Sequence, residues 1–445
     1  MAGEPERVRV AIHIDVTPGA AGGTAQATQG LINALGQLEG PEEYVLVTQT
    51  PAQTSWIAQY AGANQQVVCR RARSRAQTGG AMAKGLQRPD AVRRVLRPAV
   101  ERVRQIVGRL TPQYPTVPLS DGFYESLGCD VLHFPTQPFM ICALPIIYNP
   151  HDLQHLHYPQ FWPPAEVARR EVVYRAACQM AQTIVVNSEW IKRDVMRQYA
   201  VCGDKVQIIP GAPPTARYCA VSREVVEEVR QRLNLPATYA LYPAVTWPHK
   251  NHLRLLEALA RLRDQRGLVV NLVCTGAKWE PYWSQVEQRV MALGMSSQVR
   301  FLGFLSETEL VAVYRMAQFL VLPSLFEADS CPIYEAWEEG VPVASSNHTA
   351  LPDQVGDAAL LFDAKDVGAI VDAVGRMVTN AQLRRELVER GHQRAKDFDW
   401  TRTAKAYRAV YRRAAGMNLG EEDRWLLEWD WMREPQRRME AAETV

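Results

Sequence analysis

The sequence predicts an α/β protein built from two domains with doubly wound, Rossmann-like sheets. Three observations carry this. Short apolar runs of strand length, such as Val8–Ile14, Glu43–Thr48, Thr183–Ser188 and Phe319–Leu322, recur along the chain and alternate with longer stretches of helical period. Runs that are apolar on every position, like Phe319-Leu320-Val321-Leu322, are the mark of parallel strands covered on both faces. At 445 residues the chain is too long for one hydrophobic core.

In the first domain, assigned to residues 1–211, Val8–Ile14 is a strand. The Gly-rich turn Gly19–Thr24 follows and leads into a helix with Leu31, Ile32, Ala34 and Leu35 on one face. A glycine turn between strand and helix is a ligand edge in such domains, although this one lacks G-x-G-x-x-G spacing. Glu43–Thr48 is the second strand. From Cys69 to about Leu110 comes a basic insertion, with Arg70, Arg71, Arg73, Arg75 and Lys84 at its start and only Asp90 and Glu101 as acids. Val92, Val95, Leu96, Val100 and Val103 give it an amphipathic helical face, so residues 70–109 are either a solvated helix packed on the domain or a peripheral membrane contact.

Strands are predicted at Asp130–Phe134 and Pro145–Asn149. The second ends in His151-Asp152, a histidine with a carboxylate beside it at the strand edge where ligands gather. His151, His155 and His157 together suggest a metal by composition alone. Helices are predicted at 169–182 and, capped by Ser188, at 189–198. Val206–Gly211 closes the domain, and 212–235 is the linker, with a helix from Val221 to Leu233.

The second domain, 236–399, opens with the strand Tyr239–Pro243. A loop to His252 carries His249 and Lys250, with Asn251 as a candidate cap for the helix 253–263. Val269–Gly276 is a strand and turn, and Ser306-x-x-Glu309 is a capping box.

The stretch Pro323–Ser346, PSLFEADSCPIYEAWEEGVPVASS, organises the rest. It reads strand, loop, helix, strand, with Pro332 at the first helical position and Gly340 closing the helix. The helix tip offers free N–H groups and positive potential to a phosphate. Glu327 and Glu335 flank it, and carboxylates accept hydrogen bonds from vicinal diols, so a sugar or ribose is the natural guest.

This E-x7-E arrangement, inside PS-x-x-E and P-x-x-EA-x-x-x-G-x-PV, resembles the donor signature of the retaining GT-B glycosyltransferases of family four. HDLQHLHYPQFW and VVNSEW resemble bacterial members, and the likeness extends from about residue 8 to 412. The resemblance implies a GT-B fold, in which the two domains face each other across a cleft, and transfer of a hexosyl unit from a nucleotide-diphosphate sugar to a saccharide or lipid-linked acceptor, with retention and no metal. By it, Glu327 contacts the transferred sugar and Glu335 the ribose. Gly22 and Gly23 lie against sugar and acceptor, His151 contacts substrate, and Gly276 sits near the nucleotide. Lys250 clamps the diphosphate. The family's arginine five residues before that lysine is Val245 here, so His249 or the Cys331–Pro332–Ile333 backbone is expected to compensate. The family's Gly-Phe-Gly-Leu loop is Ala328-Asp329-Ser330-Cys331 here, so Asp329, Ser330 and Cys331 line the donor pocket without glycines. Similarity to O-antigen-type enzymes points to GDP-mannose. The last helix, 400–417, is expected to cross back onto the first domain, and the tail 418–445 packs there or on a second subunit.

A formal charge of +2 gives no pull toward nucleic acid, and no 20-residue apolar run offers a membrane span. Eight scattered cysteines with no C-x-x-C fit a reducing compartment, and no leader pattern is read, so a cytoplasmic protein is expected. A sugar-nucleotide epimerase of the same fold and a non-catalytic sugar-nucleotide-binding protein are the alternatives.

Overall fold

A computed structural model describes residues 7–16, 22–70, 115–213 and 221–431. The first sheet contains β1 (Arg9–Ile14), β2 (Glu43–Thr48), β3 (Gln65–Cys69), β4 (Val131–Phe134), β5 (Ile146–Tyr148), β6 (Thr183–Val186) and β7 (Val206–Ile208). Its order is β3-β2-β1-β4-β5-β6-β7, and every pair is parallel. The second sheet contains β8 (Ala240–Pro243), β9 (Leu272–Thr275), β10 (Val299–Phe301), β11 (Phe319–Leu322), β12 (Val343–Ser346) and β13 (Leu360–Phe362). Its order, β10-β9-β8-β11-β12-β13, repeats the first and is also all parallel. Both are doubly wound sheets with helices on each face.

Repetition of the order has a consequence for function. Each sheet reverses direction at one point, β1/β4 in the first and β8/β11 in the second, and the loops leaving those strands diverge to open a crevice. The helix Gly22–Gln37 follows β1, the Lys250 loop leaves β8, and the Glu327 loop leaves β11.

Strand burial explains the runs of apolar residues. Val131–Phe134, Thr183–Val186 and Phe319–Leu322 are buried at every position. The helix Glu189–Tyr199 starts where Ser188 accepts from Ile191 N at 3.2 Å. Ser306 and Glu309 form the reciprocal capping box of the helix Glu307–Met316.

Some boundaries differ from the reading above. The helix predicted at 169–182 runs Pro164–Met180, because Pro164 suits the first turn. The helix at the donor stretch begins at Cys331, one residue before Pro332. Asn251 makes no side-chain cap; in a left-handed conformation (φ 62°) it donates to Pro323 O at 2.9 Å and Ala364 O at 2.8 Å. Helices Pro51–Ile57, Glu280–Ala292 and Ala381–Ala395 and strand β3 had no strong periodic signal.

The helix Trp400–Ala414 lies on the first domain. Its Tyr407, Val410 and Tyr411 join the core of β1 and the helix Gly22–Gln37. A buried chain of hydrogen bonds ties it to the sheet: Tyr411 Oη to His133 Nδ1 at 2.8 Å, His133 Nε2 to Asn149 Oδ1 at 2.9 Å, and Asn149 Nδ2 to Tyr407 Oη at 2.6 Å. The helix Glu421–Glu428 follows, and Leu426, Trp429 and Trp431 are buried in the same first-domain core, with Trp425 packed against it. The basic stretch, read as a solvated helix or a membrane contact, falls outside the described residues from 71 to 114, as do 1–6, 17–21, 214–220 and 432–445.

Candidate active site

At the switch point of the second sheet, Lys250 Nζ stands 2.5 Å from Glu327 Oε1. Both side chains are largely buried. Lys250 is delivered by a short turn, Pro248–Lys250, that ends at the left-handed Asn251, and Tyr242 Oη donates to Lys250 O at 2.5 Å. Leu325 N donates to His249 O at 2.8 Å, which stitches the β8 loop to the β11 loop.

Glu335 lies one turn into the helix Cys331–Glu338 and is buried. Tyr314 Oη donates to its Oε2 at 2.5 Å. Cys331 sits between the two glutamates. Burial pushes its thiol well above the ordinary range, and the charges of Asp329, Glu335 and Glu327 add to that while Lys250 opposes it. The four charged groups therefore converge on the helix tip. Pro332 has no N–H, and Ile333 N donates to Ser330 O at 3.1 Å, so neither offers the tip a free N–H.

Asp329 carries a carboxyl pushed up to about 6 by burial, held down in part by a hydrogen bond from Tyr334 and raised again by Glu327. It reaches across the cleft: a methyl group on Gly211 would stand 3.0 Å from Asp329 Oδ2. Ser330 is bracketed by Gln354, whose Oε1 accepts from Ser330 N and whose Nε2 donates to Ser330 O, both at 3.0 Å.

The first domain meets this tip directly. A methyl group on Gly23 would lie 3.3 Å from Cys331 Sγ, and Gly22 beside it takes φ 49°, a conformation that favours glycine. His151, also at positive φ (60°), bonds through Nε2 to Pro135 O at 2.9 Å, which fixes the proton on Nε2 and leaves Nδ1 as an acceptor. Burial keeps the ring below its usual pKa and hence neutral. It lines a crevice with Thr28, Asn149, Gly211, Trp400 and Tyr407. Asp152 is raised by burial and further by the nearby Glu327.

His155 and His157 do not join His151. His155 is buried against the Tyr174 ring, and His157 Nε2 is 2.8 Å from Asp194 Oδ2. Among the described residues no group of three His, Cys, Asp or Glu side chains is placed to hold a metal ion.

His249 does not replace the missing arginine as a cation. It is buried beside the Trp247 ring, and burial, then Lys250 and His252, drive its pKa well below the ordinary imidazole value. Gly276, at φ 99°, packs on the Ala244–Val245 backbone, where a methyl group would meet Ala244 C at 3.0 Å. Thr246 N donates to Ala277 O at 3.1 Å, so the loops after β8 and β9 run side by side.

Residues of the runs HDLQHLHYPQFW, VVNSEW and PSLFEADS meet at the domain interface. Tyr158 Oη donates to Leu325 O at 3.3 Å, Trp190 N donates to Asp353 Oδ2 at 2.8 Å, and the Phe326 ring packs on His157 and Trp190. Phe326 is the residue before Glu327, so these contacts set the height of the donor loop in the cleft.

Two sheets of one topology enclosing a crevice, with a lysine and paired glutamates at a helix tip, define a sugar-nucleotide transferase architecture. Residues 226–394 match the family model described as glycosyl transferases group 1, and residues 61–217 the model described as Glycosyltransferase Family 4. The chain belongs to the GT-B glycosyltransferases. O-antigen chain mannosyltransferase B of Escherichia coli is 29% identical over 268 residues, which take in 58% of this chain and 69% of that protein. MMP alpha-(1->4)-mannosyltransferase of Mycolicibacterium hassiacum is 31% identical over 55% of this chain and 57% of its own length. In fold, the chain is similar to Anabaena HepE solved with UDP and glucose: TM-score 0.65 at 16% identity, over 92% of this chain and 100% of that one.

Proposed function

We propose that the protein transfers a mannosyl unit, with retention of configuration, from GDP-mannose to a hydroxyl of a saccharide or lipid-linked acceptor in cell-surface polysaccharide synthesis. The cytoplasm is where such a donor is met. The observation that carries the reading is the convergence of Lys250, Glu327 and Glu335 on the Cys331 helix tip, opposite Gly23 of the other domain. The relatives named mannosyltransferases support the sugar.

In this reading Glu335 holds the ribose and Glu327 the transferred sugar. Lys250 and the Cys331 N–H stabilise the charge that grows on the diphosphate as its bond to the anomeric carbon breaks. The acceptor oxygen bonds to that carbon from the same face, and its proton passes to the departing diphosphate oxygen. His151, neutral and at the cleft edge, contacts the sugar or acceptor. Gly23 allows close approach, and domain closure excludes the water that would otherwise hydrolyse the donor. Among the described residues no helix is long and apolar enough to cross a membrane, so an acceptor on a lipid would be met at the membrane surface.

The test is incubation of the purified chain with radiolabelled GDP-mannose, UDP-glucose and UDP-galactose in the presence of membrane or saccharide acceptors. Label transferred from GDP-mannose supports the reading. Isomerised sugar nucleotide, or binding with no turnover, overturns it.

A further inference from the structure

Thr349 occupies the left-handed region at φ 55°. A β-branched residue there is a backbone outlier, because its Cβ substituents crowd the neighbouring peptide groups, and such outliers persist only where the surroundings hold them. Thr349 lies in the loop after β12, and two hydrogen bonds of its neighbour His348 pin that loop. His348 Nε2 is 2.8 Å from Asp363 Oδ1, and His348 N donates to Ser346 Oγ at 3.1 Å.

The strained conformation aims the hydroxyl at one target. Thr349 Oγ1 donates to Glu327 O at 2.7 Å and accepts from Glu327 N at 3.0 Å. Ala350 N adds a third bond to Glu327 O at 3.3 Å. Both backbone groups of the residue that carries the donor-site carboxylate are thereby satisfied by one side chain 22 positions away. A glycine at 349 would relieve the strain and lose both hydroxyl bonds.

We propose that Thr349 is a positioning residue of the transfer reaction, its hydroxyl anchoring the backbone of Glu327 so that the carboxylate keeps its place when a diphosphate draws Lys250 away. This rests on Glu327 being the sugar-contacting residue. The need for a second anchor follows from the geometry. Lys250 holds the Glu327 carboxylate at 2.5 Å. A bound diphosphate competes for the same ammonium, and a carboxylate released from that cation is free to swing unless its backbone is held. The loop that follows, Ala328-Asp329-Ser330, is gripped at its far end by Gln354 from the same post-β12 segment. Thr349 and Gln354 thus template the donor loop from both sides.

The experiment compares full-length Thr349→Gly, Thr349→Val and Thr349→Ser with wild type and Glu327→Gln. Release of nucleoside diphosphate from GDP-mannose and UDP-glucose is measured with water as acceptor, alongside thermal melting. Expected are a Thr349→Gly protein that melts at or above wild type yet has kcat reduced at least tenfold with donor KM within twofold, a similar kcat loss in Thr349→Val, and kcat within twofold of wild type in Thr349→Ser. If Glu327→Gln lowers kcat while Thr349→Gly and Thr349→Val keep it, the positioning role is wrong and the reading of Glu327 stands. If Glu327→Gln itself leaves kcat unchanged, the reading of Glu327 falls and the proposal falls with it. Loss of kcat in Thr349→Ser equal to that in Thr349→Val also overturns the role of the hydroxyl.

Discussion

Lys250 Nζ and Glu327 Oε1 lie 2.5 Å apart, joining the loop after β8 to the loop after β11 across the switch point of the second sheet. The pair sets an ammonium against a carboxylate, both largely buried. Removing one partner leaves a buried charge unpaired, which costs roughly 3 kcal/mol. Lys250→Met should therefore lower both Tm and activity, with kcat/KM down about 100-fold or more from lost leaving-group stabilisation. Adding Glu327→Gln should recover much of the Tm and none of the activity. Melting curves and donor turnover on the two variants check this; activity regained in the double variant would exclude the leaving-group role.

Tyr314 and Glu335 form the second prediction. A hydroxyl 2.5 Å from a buried carboxylate orients it, and a hydrogen bond to a charged group contributes about 1.5 kcal/mol. Tyr314→Phe should raise donor KM about tenfold with little change in kcat. The effect should shrink for a 2′,3′-dideoxy donor, which has no diol for Glu335 to hold. Steady-state kinetics with both donors decide it, and equal KM effects would show that Tyr314 acts only on folding.

Asp329 should make stability depend on pH. Its carboxyl is raised from 3.8 to about 6 by burial, so the folded state favours the protonated form. The stability this confers is complete below pH 4 and is lost as pH rises through about 6. Asp329→Asn keeps an acceptor for Tyr334 and removes the charge. The variant should melt roughly 2–4 °C above wild type at pH 7.5 and converge with it near pH 4. Melting across that range is the measurement; a variant less stable at pH 7.5 would reverse the sign.

Gly30 has no room for a side chain. A methyl group there would stand 2.3 Å from Trp400 Cζ2, on the helix that crosses back from the second domain. Gly30→Ala should cost about 1–3 kcal/mol through overpacking, and Trp400→Phe in the same chain should return part of it. Denaturant unfolding of the single and double variants tests the coupling.

Much of this was legible in the chain. Phe319–Leu322 reads as a covered parallel strand because every position is apolar, and it is buried throughout. Ser306 and Glu309 read as a capping box because that spacing satisfies two N–H groups at once, and they form one. Glu327 and Glu335 flank a helix start in the sequence, and it was the resemblance to a known family that singled them out together with Lys250. What stayed hidden had no periodic or compositional mark. The strand Gln65–Cys69 is short and half polar, and the helix Ala381–Ala395 buries only Leu387, Gly391 and Ala395. Tyr314 looks like one more core aromatic. The exceptional feature of Thr349 is a dihedral angle, which no sequence displays.

By itself the sequence determined the alternation of strand and helix and the glutamate-flanked helix tip, because local propensity, capping and burial period are encoded over a few residues; the class of chemistry came from the resemblance of that tip to a known family. Only the tertiary structure decided that Lys250 meets Glu327 77 positions away, that Gly23 faces Cys331, and that Trp429 and Trp431 pack on the first domain. Those pairings follow from sheet order and from the return of the last helices, which bring distant loops to one crevice. A burial pattern says that a face is covered, and it does not say by what.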